Sequence, residues 1–152
     1  MSDITTVILA AGNSTRFKAS KSKLVYPLCG LPIVSHIFNI AKKISGKNIL
    51  VVSNEKNKEE LKLILNTSKL VVQKKQKGTA DAIEQVKKYV KSKNILILFG
   101  DTPLVEVKDI RKLVSKFKKS KAKASLIAFN TSEPHGYGTV SYTHLRAHET
   151  QS

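Results

Sequence analysis

A chain of 152 residues is one domain or most of one, and 41% hydrophobic with 25% charged residues is the composition of a soluble globular fold. The formal charge of +16 comes from 27 Lys and Arg, of which only Arg16, Arg111 and Arg146 are arginine. The lysines spread over every predicted helix instead of clustering with aromatics on one face, so specific nucleic-acid binding is not expected, though weak salt-sensitive adhesion to polyanions is. No apolar run nears the ~20 residues that span a bilayer, the Met1-Ser2-Asp3-Ile4 start lacks the features of a signal peptide, and a lone Cys29 excludes an internal disulfide or a multi-cysteine metal site; a cytoplasmic chain without a membrane partner is expected.

Residues 5–10 read as a first strand that ends in Ala10, Ala11 and Gly12, followed by Asn13-Ser14-Thr15-Arg16 and then Lys23. Cys29, in the turn before Gly30, reads as a small buried filler. Pro32 suits a helix start, and Ile33, Ile37, Ile40 and Ile44 recur at helical spacing before Gly46 stops the run. His36 on that helix reads as structural or surface. Residues 48–53 form a second strand, apolar from Ile49 to Val52 as a strand covered on both faces should be. Asn54 suits the cap of a helix over residues 55–66, with Leu61, Ile64 and Leu65 on one side. A short strand at residues 70–72 precedes Gln73, and a helix over residues 79–90 carries Ile83, Val86 and Val90. Residues 94–99 are another continuous apolar strand. Gly100-Asp101-Thr102-Pro103 leads to a helix bearing Val107, Ile110, Leu113, Val114 and Phe117, and residues 124–129 read as a fifth strand. Such alternation, with short connections and unbroken apolar strands, predicts a three-layer α/β/α, Rossmann-like, mostly parallel sheet.

In such sheets ligands bind beyond the carboxyl ends of the strands, which places the loops at residues 10–16, 73–79 and 100–103 on one rim. The first is neither a P-loop nor a GxGxxG fingerprint. Its small residues let a phosphate or base approach the main chain, and Arg16 and Lys23 supply a planar fork and a point charge. The same residues also suit an ordinary strand–turn with two solvated cations. Asp101, straight after a buried strand and a glycine, suits either a hard-oxygen ligand for Mg²⁺ or the cap of the next helix. The Gln73 amide carries the one acceptor and two donors that a uracil edge requires, and Gly78-Thr79 opens a helix whose first N–H groups lie free. His144 and His148 lie at helical spacing but without a third ligand nearby, and so read as an incidental pair.

These pieces together resemble the sugar-phosphate nucleotidyltransferases, most closely the uridylyltransferase part of the bacterial bifunctional N-acetylglucosamine-1-phosphate uridylyltransferase/glucosamine-1-phosphate acetyltransferases. The resemblance covers about residues 6–140. It rests on Leu9-Ala10-Ala11-Gly12 with Thr15-Arg16, on Lys23, Gly30-Leu31-Pro32-Ile33, Gln73-Lys74-Lys75-Gln76-Lys77-Gly78-Thr79-Ala80, Gly100-Asp101-Thr102-Pro103-Leu104 and Gly136-Tyr137-Gly138. It implies that Leu9, Ala10, Ala11 and Gly12 cradle the nucleotide, and that Arg16 and Lys23 hold the triphosphate and stabilise departing pyrophosphate. Gln73, Gly78 and Thr79 would read uracil, while Phe99, Gly100 and Asp101 line the ribose–phosphate side. Asp101 would ligate Mg²⁺ and the Gly138 N–H touch the sugar. The implied reaction is UTP plus N-acetylglucosamine 1-phosphate giving UDP-N-acetylglucosamine and pyrophosphate. It needs positioning, charge neutralisation and metal more than a protein nucleophile.

Departures from the family pattern are Ser14 for glycine, Ser22 for proline before Lys23, Phe99 for tyrosine, Asp81 for histidine and Thr139 for arginine. The family domain continues past residue 152, with sugar ligands, a second metal ligand and an oligomerising C-terminal part, so the chain is expected to be an incomplete and inactive fragment. Residues 1–140 are assigned to the nucleotidyltransferase and residues 141–152, which contain no lysine, to a non-family tail of foreign sequence; a continuous native reading frame through Ser152 would refute that. Two alternatives stay open: the same fold acting on another sugar phosphate or a cofactor precursor, and a non-catalytic nucleotide- or polyanion-binding module.

Overall fold

The computed structural model describes residues 3–12, 21–67, 69–75 and 78–133. Arg16, Gly138, the departures at Ser14 and Thr139, the histidines at 135, 144 and 148, and the tail assigned to 141–152 lie outside them. Two compact units divide the chain, Met1–Arg111 and Lys112–Ser152.

The first unit is built on β1 (Ile4–Leu9), whose six residues are apolar or threonine. The strand is buried because it sits between two parallel neighbours, and its threonines are satisfied inside. Thr6 Oγ1 lies 2.5 Å from Ser45 Oγ, and Thr5 Oγ1 meets Ser92 Oγ at 2.7 Å and accepts from Asn48 Nδ2 at 2.9 Å.

After β1 the chain makes a small hairpin of β2 (Pro27–Leu28) and β3 (Leu31–Pro32). Its two corner residues, Cys29 and Gly30, both have positive φ (48° and 81°), the backbone that matches the twist of a two-residue hairpin. The expectation of a buried Cys29 is therefore corrected: the thiol is exposed at the hairpin corner, where no element covers it. His36 is structural, its Nε2 donating to the Leu28 carbonyl at 2.8 Å and tying the hairpin to the next helix.

That helix, α1 (Ile33–Ser45), follows an extended Pro32 and stops at Gly46, where φ is 58°. Its buried residues are Val34, Ile37, Phe38, Ile40, Ala41 and Ser45, while Ile33 and Ile44 sit half-covered at the margins. β4 (Ile49–Ser53) is buried throughout. α2 (Lys58–Leu65) then starts three residues later than expected. Asn54 does not cap it: Asn54 Oδ1 accepts from Lys56 N and Asn57 N, both at 2.9 Å, closing an Asx turn that holds residues 55–57 out of the helix. β5 (Leu70–Val72) is short. α3 (Thr79–Val86) gives way to a 3₁₀ turn over Lys87–Tyr89, where one helix to Val90 was expected. β6 (Asn94–Phe99) and α4 (Val107–Lys119) complete the regular elements.

The main sheet runs β5-β4-β1-β6 with every pair parallel. Register puts Val7 beside Leu50 and Val52 beside Val71 on one face, where Ala82 and Val86 of α3 close a core. Ile8 and Val51 are paired on the other face, and α1 packs against both of their strands, so the expected three layers are present. In the second unit, residues 124–129 join no strand, with Leu126 and Ile127 exposed. The expected fifth strand fails here because apolar, β-branched composition makes a strand only where a ladder partner is supplied. Among the described residues no helix is long and apolar enough to cross a membrane.

Candidate functional site

The sheet order reverses at β1: the chain steps outward to β4 and β5, then returns to place β6 on the other side of β1. The carboxyl ends of β1 and β6 therefore flank the topological switch point, the standard ligand crevice of an open parallel sheet. Leu9, Ala10, Ala11 and Gly12 leave one end; Phe99, Gly100 and Asp101 leave the other.

Gly100 is what lets the two ends close together. Its N–H donates to the Leu9 carbonyl at 2.9 Å, and a Cβ added there would stand 3.1 Å from that oxygen and 3.5 Å from both Ala10 Cβ and Leu24 Cδ2. Leu24 is buried in a 3₁₀ turn, Lys23–Val25, that lies against this junction and carries Lys23 with it. Ser22, where the family pattern has proline, holds φ at −60°, a proline-like value, and its hydroxyl accepts from Leu24 N at 3.4 Å. Lys23 Nζ reaches Asp101 Oδ2 at 2.5 Å, both side chains being about one-third exposed (36% and 38%). Two residues chosen independently from the sequence are thus in direct contact. At that exposure the pair contributes at most about 1 kcal/mol to stability, so its interest is chemical.

The loop after β1 is gripped from behind by two residues that sequence reasoning missed in this role. Asn57 Nδ2 donates to the Ala10 carbonyl at 2.8 Å and Asn54 Nδ2 to the Ala11 carbonyl at 3.0 Å; Asn57 Oδ1 in turn accepts from Asn54 N at 3.0 Å. Both side chains are buried. In a trans peptide C=O and N–H point opposite ways, so pulling the Ala11 carbonyl inward turns the Gly12 N–H outward. The signal was present: two asparagines three apart, following the apolar run Ile49–Val52 and Ser53, belong to a buried turn more than to a helix surface.

On the other side of the rim, Gln73 closes β5 and is buried, its N–H donating to Ser53 O at 2.8 Å. Its Nε2 donates to Asp81 Oδ2 at 2.6 Å and to Gly78 O at 3.2 Å. Gly78 precedes α3 with φ 103° and ψ −177°, a backbone open only to glycine, and Thr79 starts the helix exposed. Asp81, set apart in the sequence only as a departure, thus belongs to the site. It also lines an open groove of about 620 Å³ along the β5 edge, with Lys74, Lys88 and Tyr89.

The fit to a metal is a matter of donor chemistry. Among the described residues no three His, Cys, Asp or Glu side chains converge, so these residues form no all-protein cage. One exposed carboxylate, Asp101, at the carboxyl-end rim of the sheet is the kind of donor that Mg²⁺ uses when protein and substrate phosphates share the ion, and it fits.

The MobA-like NTP transferase domain matches residues 6–151. Bifunctional protein GlmU of Buchnera aphidicola subsp. Schizaphis graminum is 41% identical over 140 residues, covering 91% of this chain and 30% of that protein. The protein of the same name from Campylobacter fetus subsp. fetus is 39% identical over 145 residues, covering 92% and 32%. The chain thus spans about a third of the length of these curated relatives. Among solved structures, a cytidylyltransferase from Leptospira borgpetersenii superposes with a TM-score of 0.62 at 20% identity, over 80% of this chain and 51% of that one, which speaks to the fold alone. With a parallel sheet whose switch point gathers the motif residues and a family match over nearly its whole length, this chain belongs to the MobA-like NTP transferase domain family.

Proposed function

We propose that this chain is the nucleotide-binding part of a uridylyltransferase that joins UTP and N-acetylglucosamine 1-phosphate into UDP-N-acetylglucosamine with release of pyrophosphate, acting in the cytoplasm. The observation that carries the reading is the contact of Lys23 with Asp101 beside the glycine-tight junction of β1 and β6. Main-chain N–H groups of the loop after β1 receive phosphate oxygens, with Gly12 turned outward by the asparagine grip. Lys23 is a mobile point charge within reach of both Asp101 and the phosphates, suited to following charge as it develops on departing pyrophosphate. Arg16 is assigned the same duty from its sequence position. Asp101 would hold Mg²⁺, which when bound supplies charge neutralisation on the triphosphate. Gln73, with Gly78 and Thr79, faces the base; Phe99 and Gly100 flank the ribose, and Gly138 is assigned to the sugar. The sugar phosphate is itself the nucleophile, so the residues position and neutralise without forming a covalent intermediate.

Titration of the purified chain with UTP, CTP and ATP in Mg²⁺ by calorimetry tests the reading. Saturable binding selective for UTP, weakened by Asp101→Asn only when Mg²⁺ is present, is the expected result. Equal binding of all three nucleotides that fades with salt would replace the proposal with lysine-driven adhesion.

A further inference from the structure

The Gln73 amide is held in one orientation by groups that accept hydrogen bonds and cannot donate them. Its Nε2 has two hydrogens and two partners in reach: Asp81 Oδ2 at 2.6 Å and the Gly78 carbonyl at 3.2 Å. A carboxylate and a peptide carbonyl are both acceptors, so turning the amide over would set its oxygen against two other oxygens. The choice of which end is nitrogen therefore follows from the neighbours. Gln73 is only 5% exposed, and its backbone is pinned to Ser53, so the side chain has little room to escape this arrangement. Asp81 is itself placed by the backbone: Gly78, at φ 103°, opens α3, and Asp81 falls in the first turn, where a carboxylate is favoured by the helix N-terminus.

We propose that Asp81 is a positioning residue for base selection: by occupying the Gln73 NH₂ it leaves the amide oxygen as the end that meets the base. The inference rests on the nucleotide reading above and deepens it. An acceptor presented to a pyrimidine ring pairs with the N3–H of uracil. It opposes cytosine, whose N3 is a bare acceptor. The discrimination lies in leaving two acceptors facing one another, which costs more than a merely missing contact. The fold does not impose this preference, since the Leptospira protein of similar architecture is a cytidylyltransferase.

The test uses the 152-residue chain, Mg²⁺, and UTP, CTP and N3-methyl-UTP as titrants, with inorganic triphosphate reporting the phosphate site alone. The unmutated chain should bind UTP in preference to both CTP and N3-methyl-UTP, the two ligands that lack the N3–H. Asp81→Asn keeps the side-chain shape but can donate as well as accept, so Gln73 can turn over. Its UTP-over-CTP preference should shrink about tenfold, while triphosphate affinity and the circular dichroism spectrum stay unchanged. An unmutated chain that binds N3-methyl-UTP as tightly as UTP overturns the proposal without recourse to any variant. So does an Asp81→Asn protein that keeps its full preference or weakens for UTP, CTP and triphosphate alike. A failure of the underlying nucleotide reading looks different: the unmutated chain would bind no nucleotide, or UTP and CTP equally, and both readings would fall together.

Discussion

Asn54 performs two jobs with the two ends of one amide, and they can be separated. Its Oδ1 closes the turn over residues 55–57, while its Nδ2 holds the Ala11 carbonyl. Asn54→Asp preserves the acceptor but turns the donor into a second oxygen facing that carbonyl. Loss of about 1–3 kcal/mol in urea denaturation with an unchanged m value is expected, together with weaker triphosphate binding in calorimetry. Ser53 is the opposite case. Its hydroxyl is fully buried with no hydrogen-bond partner among the described residues. Ser53→Ala removes a polar group that gains nothing from burial, so the midpoint of urea denaturation should stay level or rise. At Gly78 a side chain meets no neighbour, yet φ of 103° is out of reach for an L residue. Gly78→Ala should cost about 1–3 kcal/mol through backbone strain alone, read as a lowered Tm, and should loosen the Gln73–Asp81 arrangement with it.

At the scale of elements, helices are anchored by few side chains. α2 has eight residues, and its buried positions are Leu61 and Leu65, with Leu61 wholly enclosed. Leu61→Ala should cost about 2–5 kcal/mol by transfer and cavity terms together, measurable as a lowered denaturation midpoint. Leu63, one turn away from neither partner but 83% exposed, should tolerate alanine with almost no change. The contrast matters because α2 begins directly after the asparagine turn, so weakening its packing is expected to loosen the hold of Asn54 and Asn57 on the loop after β1. The centre and the edge of the sheet differ in a similar way. β1 and β4 are covered on both faces, whereas β6 leaves Ile95 and Phe99 about half exposed at the outer edge.

For the whole molecule, a charge of +16 spread over helix surfaces predicts background affinity for any polyanion. Binding to unspecific single-stranded DNA should drop by roughly tenfold or more between about 50 and 200 mM salt, as fluorescence anisotropy would show. If the proposed base selection at Gln73 holds, UTP preference over CTP should persist across that range, because buried hydrogen bonds are screened far less than exposed charge.

The amino-acid pattern alone determined the layered α/β architecture, the main strands and the rim on which Leu9, Lys23, Gln73, Gly100 and Asp101 lie. Unbroken apolar strands, helical spacing and turn residues are local signals, and motifs carry their chemistry in a fixed order along the chain. Its misses were of another kind. Residues 124–129 look like a strand but join none, because a strand exists only through a hydrogen-bonded neighbour far away in sequence. Cys29 looks buried by type but sits at an uncovered corner. The Asn54–Asn57 grip on the Ala10 and Ala11 carbonyls spans more than forty residues, and the Lys23–Asp101 contact nearly eighty. Asp81, a departure when read in sequence, acquires its meaning only when β5 and α3 bring it against Gln73. What the tertiary structure decided in each case is which buried donor meets which acceptor, a relation set by the packing of distant segments and carried by no single stretch of chain.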